Sequence, residues 1–174
     1  MKKNIWINAI LIFLISFPIH FLYDLLPSFL TSIFAPVNES IFEHVKMIFT
    51  SILLGRILIY FIRKKQKEST NNYILKSYLG ALFNIILFLI FYLPIYYLFG
   101  ENLIATLILY FLSLLVSERV LYCFFNKDLK KKDSLLGIFL IIITYFLFTL
   151  LSYNTIRIDF FYDPMNHNYG IIKK

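Results

Sequence analysis

His20 and Asp24 stand four residues apart, and so do Glu39 and Glu43, and Ser40 and His44. Asp159, Asp163 and His167 continue the same interval near the C-terminus. On a helix this spacing places two side chains one above the other on a single face. Imidazoles and carboxylates gathered in this way are the ligand set of Zn²⁺ or a similar divalent ion. The same groups can shuttle a proton or hold a polar head group. His20, Asp24, His44 and Asp163 are therefore the candidate metal ligands, and Glu39, Glu43 and Ser40 the candidate catalytic groups. Zinc or another divalent metal is the only cofactor that these residues suggest; bound there, it would activate water.

Part of the pattern has a second, purely structural reading. Asn38-Glu39-Ser40 follows Pro36 at a helix start, and Ser40-x-x-Glu43 is a capping box. Acids in a first turn also suit the helix dipole, by about 0.3–1 kcal/mol each. Lys46 can pair with Glu43 or with Glu39. Capping accounts for Ser40 and Glu43. It does not account for His44, which when protonated interacts poorly with a helix N-terminus, nor for His20.

The elements that must position these groups follow from composition. Of the 174 residues 60% are hydrophobic, 20% aromatic and only 16% charged, with a mean hydropathy of +0.76. A soluble domain has about a quarter charged residues, so a soluble enzyme is excluded. A disulfide scaffold is excluded as well, because Cys123 has no partner cysteine. A span of the bilayer takes about 20 apolar residues. Asn4 to Tyr23, Ser77 to Gly100 and Ser134 to Ile156 each run without Asp, Glu, Lys or Arg. Ile41 to Ile62 and Asn102 to Asn126 are interrupted by charges that must be paired or lie near an end. Arg56 and Glu118 are the expected intramembrane pair.

The reading is a single membrane domain, 1–174, an all-α polytopic bundle of five transmembrane helices at about 4–26, 40–62, 73–100, 102–125 and 134–155. An interfacial segment at 25–35 and a tail at 156–174 complete it. The first span begins Met1-Lys2-Lys3 but lacks a small-residue cleavage pattern, so an uncleaved helix is expected. Eleven cations (Lys2, Lys3, Arg63, Lys64, Lys65, Lys67, Lys76, Lys127, Lys130, Lys131 and Lys132) face four (Lys46, Arg157, Lys173 and Lys174) across the membrane. That bias places the N-terminus inside and the C-terminus outside. The formal charge of +7 is thus a topology signal, with membrane lipid as the partner and no nucleic acid. All three histidines then fall on the outer side.

The run Pro36-Val37-Asn38-Glu39-Ser40-Ile41-Phe42-Glu43-His44-Val45-Lys46, with His20-Phe21-Leu22-Tyr23-Asp24 before it, resembles an uncharacterised family of small multi-pass bacterial membrane proteins. The ending, Phe161-Tyr162-Asp163-Pro164 with Tyr169-Gly170-Ile171, resembles that family too. The resemblance implies a shared five-helix fold and no activity. More weakly, Ser40-Ile41-Phe42-Glu43-His44 is similar to the first motif of the progestin/adiponectin-receptor and alkaline-ceramidase membrane hydrolases. In those proteins a Ser or Asn precedes a zinc-binding His by four residues. The chain departs from that pattern in having Val37 where they carry an upstream Glu, and in lacking a later His-x-x-x-His pair.

No Gly-rich phosphate loop, His-Glu-x-x-His or Gly-x-Ser-x-Gly occurs. Two functions from different classes follow. One is a metal-assisted hydrolase or transferase acting at the outer leaflet of the cell membrane. The other is a non-enzymatic transporter, receptor or immunity-type protein that binds a cation or a polar head group.

Overall fold

A computed structural model describes residues 2–67, 72–124 and 133–171. Lys127, Lys130, Lys131, Lys132, Lys173 and Lys174 lie outside the described residues, as do the side chains of Lys2, Lys3 and Cys123. The chain forms α1 (Lys2–Leu25), a short α2 (Phe29–Phe34), α3 (Ile41–Lys65), α4 (Tyr73–Phe99), α5 (Leu103–Phe124) and α6 (Asp133–Tyr153). A 3₁₀ turn (Asp159–Phe161) and a two-stranded hairpin, β1 (Tyr162–Asp163) and β2 (Asn168–Tyr169), close the tail. Five of the helices, all but α2, are long and apolar enough to cross a membrane. Five such helices is the number expected from the sequence, and α2 stands in the connection between α1 and α3.

The helix interrupted by the most charges turns out to be the core of the bundle. α3 has 61% of its apolar window buried, against 11–28% for the other four spans. It packs on α1 and α4, while α4 also packs on α5 and α6, and α1 on α5. Its inward residues include Thr50, Ser51 and Gly55 beside Ile48, Phe49 and Ile52. Small residues let helices approach closely where lipid supplies no hydrophobic drive between them. A Cβ added to Gly55 would lie 2.5 Å from Ile12 of α1. That close crossing holds α1 against α3 along the faces that carry His20 and His44.

Several polar side chains buried in the bundle find one another, as a medium without water favours. Arg56 of α3 pairs with Glu118 of α5 through Nη2 and Oε1, and Asn8 of α1 donates to Glu118 Oε2 at 3.1 Å. Arg119 is exposed and takes no part. Asn84 of α4 donates to Ser113 and Ser117 of α5, each at 3.2 Å. Large apolar side chains such as Trp6, Leu14, Leu98, Leu135 and Phe146 are exposed on the outside of the bundle, the face a lipid-embedded helix presents.

At the end of the bundle where α1 stops and α3 starts, α2 lies against α6, α1 and α3. Ser28 caps α2 reciprocally with Thr31. The tail turns back over the same end. Phe161 stacks on Phe42, with ring centroids 4.6 Å apart. Tyr162 pairs with Tyr169 and Asp163 with Asn168 in the hairpin. Gly170 is required where it stands, since its φ is +69° and a Cβ would lie 2.3 Å from Thr155 Oγ1. Its carbonyl accepts a 2.9 Å hydrogen bond from Asn38 Nδ2, which ties the tail to the segment entering α3.

Candidate metal centre

Three side chains converge at this mouth. His20 sits one turn from the end of α1, Glu39 in the approach to α3, and His44 on the first turn of α3. Glu39 offers one oxygen to each ring: Oε1 lies 3.8 Å from His20 Nε2, and Oε2 lies 3.5 Å from His44 Nε2. The two imidazoles have centroids 5.5 Å apart. One donor atom from each of the three residues lies within 4.8 Å of the others. All three are partly buried, with side chains 20–31% exposed.

The local sequence explains how His44 is aimed. Ser40 is the N-cap of α3 and accepts from Glu43 N at 3.3 Å. Asn38 Oδ1 accepts from Ser40 N at 3.0 Å, which shapes the entry turn. The Ser40 carbonyl then faces His44 Nδ1 at 3.0 Å. A carbonyl oxygen only accepts, so Nδ1 carries the hydrogen, and in the neutral ring the Nε2 lone pair is free. This is the tautomer and support of a metal-binding histidine. Nε2 then points a lone pair at the Glu39 carboxylate, an arrangement that needs a cation or a proton between the two acceptors. Zinc bonds of about 2.1 Å at tetrahedral angles place ligand atoms about 3.4 Å apart, close to the spacings seen here. The residues therefore fit a divalent ion. His20 Nδ1, in contrast, is buried without a hydrogen-bond partner among the described residues.

The other sequence-derived candidates are placed differently. Glu43 is turned into the bundle and 1% exposed. Its Oε2 pairs with Lys46 Nζ at 2.5 Å and accepts from Val37 N at 3.1 Å, and its Oε1 accepts from Ser152 Oγ at 2.5 Å. Lys46 also donates to Ser152 Oγ and to the Ser32 carbonyl, each at 2.9 Å. Both Glu43 oxygens are thereby occupied, and the network fastens α3 to α2 and α6. The Ser40 hydroxyl is occupied in capping. Asp24 is exposed, one turn beyond His20. Asp163 is buried in the hairpin, where its carboxylate accepts from Met165 N, Asn166 N and Asn166 Nδ2. Neither acid is part of the three-residue cluster. His167 bonds the Tyr162 hydroxyl at 2.9 Å.

Glu101, in the turn between α4 and α5, has electrostatic neighbours in this site that its position in the sequence does not announce. Burial pushes its carboxyl above the usual range; His44 opposes this, and the charges of Glu39 and Asp163 add to it. Ser152 and Asn38, the two residues that bind the ends of α3 and α6 and the tail together, are likewise plain polar residues in the sequence.

Five helices long and apolar enough to cross a membrane, the make-up of a multi-pass membrane protein, form the bundle, and a His-Glu-His cluster lies at one end of it. Residues 1–171 match the family of unknown function DUF6512, and the chain belongs to that family. No curated protein and no solved structure matches it.

Proposed function

We propose that this protein lies in the cell membrane with its N-terminus in the cytoplasm and its C-terminus outside. At its outer mouth it binds zinc or a similar divalent ion through His20, Glu39 and His44. There it acts as a hydrolase or transferase on a lipid or peptide of the outer leaflet. The observation that carries the reading is the convergence of two imidazoles and one carboxylate, donor atoms within 4.8 Å, from residues 19 and 24 positions apart on α1 and the start of α3. The orientation rests on the eleven cations set against four.

Two histidines and one glutamate leave one tetrahedral position free, where bound zinc would supply an activated water at neutral pH. Glu39 serves as ligand in this arrangement.

One observation favours a non-enzymatic alternative, a transporter or receptor that binds the cation. The oxygens of Glu43 and Ser40 are engaged in structural bonds, which leaves few groups for proton transfer. Vesicles containing the purified protein separate the two. Zinc-dependent release of a lipid head group or cleavage of a peptide at the exposed face supports the enzyme. Zinc accumulation inside the vesicles without such turnover supports the transporter.

A further inference from the structure

A second site lies beside the mouth, between the end of α6 and the tail. It is a cleft of about 460 Å³ lined by Tyr153, Thr155, Arg157, Asn168, Tyr169 and Gly170, among others. No carboxylate among the described residues pairs with Arg157, although Asp159 is only two positions away. The Asn168 side-chain oxygen already accepts from Tyr169 N at 2.7 Å, which leaves its amide hydrogens for a ligand. Two of the last four carbonyls of α6, whose negative end would repel an anion, are engaged: Asn154 N donates to Leu150 O and Thr155 Oγ1 to Ser152 O. An unpaired guanidinium with an amide and tyrosine rings around it suits a phosphate monoanion or diester.

The surroundings decide between a free anion and a lipid. Tyr153 ends a helix long and apolar enough to cross a membrane, so the cleft stands at the depth of the head groups. Ile156 and Ile158, which flank Arg157 in sequence, and Met165 of the hairpin turn are 52%, 52% and 69% exposed. Apolar side chains displayed on a loop at a helix end have acyl chains as their natural neighbours. We propose that this cleft binds the phosphate of an anionic phospholipid through Arg157 and Asn168, with Tyr153 and Tyr169 at the level of the glycerol backbone. The site is independent of the metal cluster.

The test uses the full-length protein in bilayers of equal phosphatidylglycerol and phosphatidylcholine, extracted into mild detergent and weighed intact by mass spectrometry. Retained phosphatidylglycerol in excess over phosphatidylcholine is expected. Arg157→Gln should lower that retention about tenfold and Asn168→Ala by less, while Arg157→Lys keeps part of it. Helix content by circular dichroism confirms that each variant is folded, and chelating agents should leave retention unchanged. Equal retention of the two lipids, or unchanged retention in folded Arg157→Gln, would overturn the proposal. Displacement of the lipid by excess inorganic phosphate would also overturn it, in favour of a soluble anion.

Discussion

His44 Nε2 lies 3.5 Å from Glu39 Oε2 while its Nδ1 is held by the Ser40 carbonyl. The helix cap therefore does two things at once. It satisfies the start of α3, and it turns the imidazole so that its free nitrogen meets a carboxylate that already faces a second imidazole. The capping and metal-site readings of Ser40 to His44 are not rivals, because the cap is what orients the ligand.

Lys46 and Glu43 form the fully buried counterpart of this partly buried cluster. Removing one member strands a charge in a low-dielectric interior, and the cost of breaking such a pair is about 3–5 kcal/mol. Lys46→Met should lower thermal stability in detergent sharply. Replacing Glu43 by Gln in the same chain should recover a large part of the loss, because the stranded carboxylate is then neutral. Equal or greater loss in the double variant would show that the two do not depend on each other.

Arg56, Glu118 and Asn8 join α3, α5 and α1 deeper in the bundle. Glu118→Ala should be destabilising, and adding Arg56→Ala should cost little more. The coupling in this double-mutant cycle is expected at about 0.5–3 kcal/mol. Additive losses in thermal melts would contradict the pairing.

Much of this was legible before any coordinates. Three of the five spans follow from charge-free runs, and the Arg56–Glu118 pair joining the other two from the cost of lone charges in hydrocarbon. The cation bias put His20 and His44 on the same side, and the packing of α1 on α3 brings them together. What the sequence could not settle is which acid serves which purpose. Glu39 and Glu43 are one helical turn apart and chemically alike, yet one stays half-exposed with the histidines and the other is buried with Lys46. That division depends on where α6 brings Ser152, a long-range packing result. Asp163 looked like a ligand because it stands four residues from Asp159 and from His167, on a tail that would have to turn across the mouth to join the other histidines. The tail does turn, but its hairpin takes the carboxylate for its own backbone. Glu101 carried no local signal, because only the α4–α5 turn delivers it to the mouth.

Gly170 should tolerate no side chain. With φ at +69° and Thr155 in the way, Gly170→Ala is expected to loosen the hairpin and its bond to Asn38. Limited proteolysis should then cut between residues 157 and 171 faster than in the parent protein, while the bundle stays intact. Unchanged proteolysis would mean that the tail is held by other contacts.

The orientation is open to chemical labelling in a Cys123→Ser background. Met165→Cys in intact cells should react with a membrane-impermeant thiol reagent, and Gln66→Cys should react only after permeabilisation. The opposite pattern would put the cluster on the cytoplasmic side.

The central claim is that His20, Glu39 and His44 hold one divalent ion, and metal content measures it most directly. Protein purified without chelators should carry zinc or a similar ion near one per chain by elemental analysis. His44→Ala and Glu39→Gln should each lose it without loss of helix content, whereas Asp163→Asn should keep it. Metal-free parent protein that takes up no zinc in equilibrium dialysis, or equal zinc content in folded His44→Ala, would contradict the account.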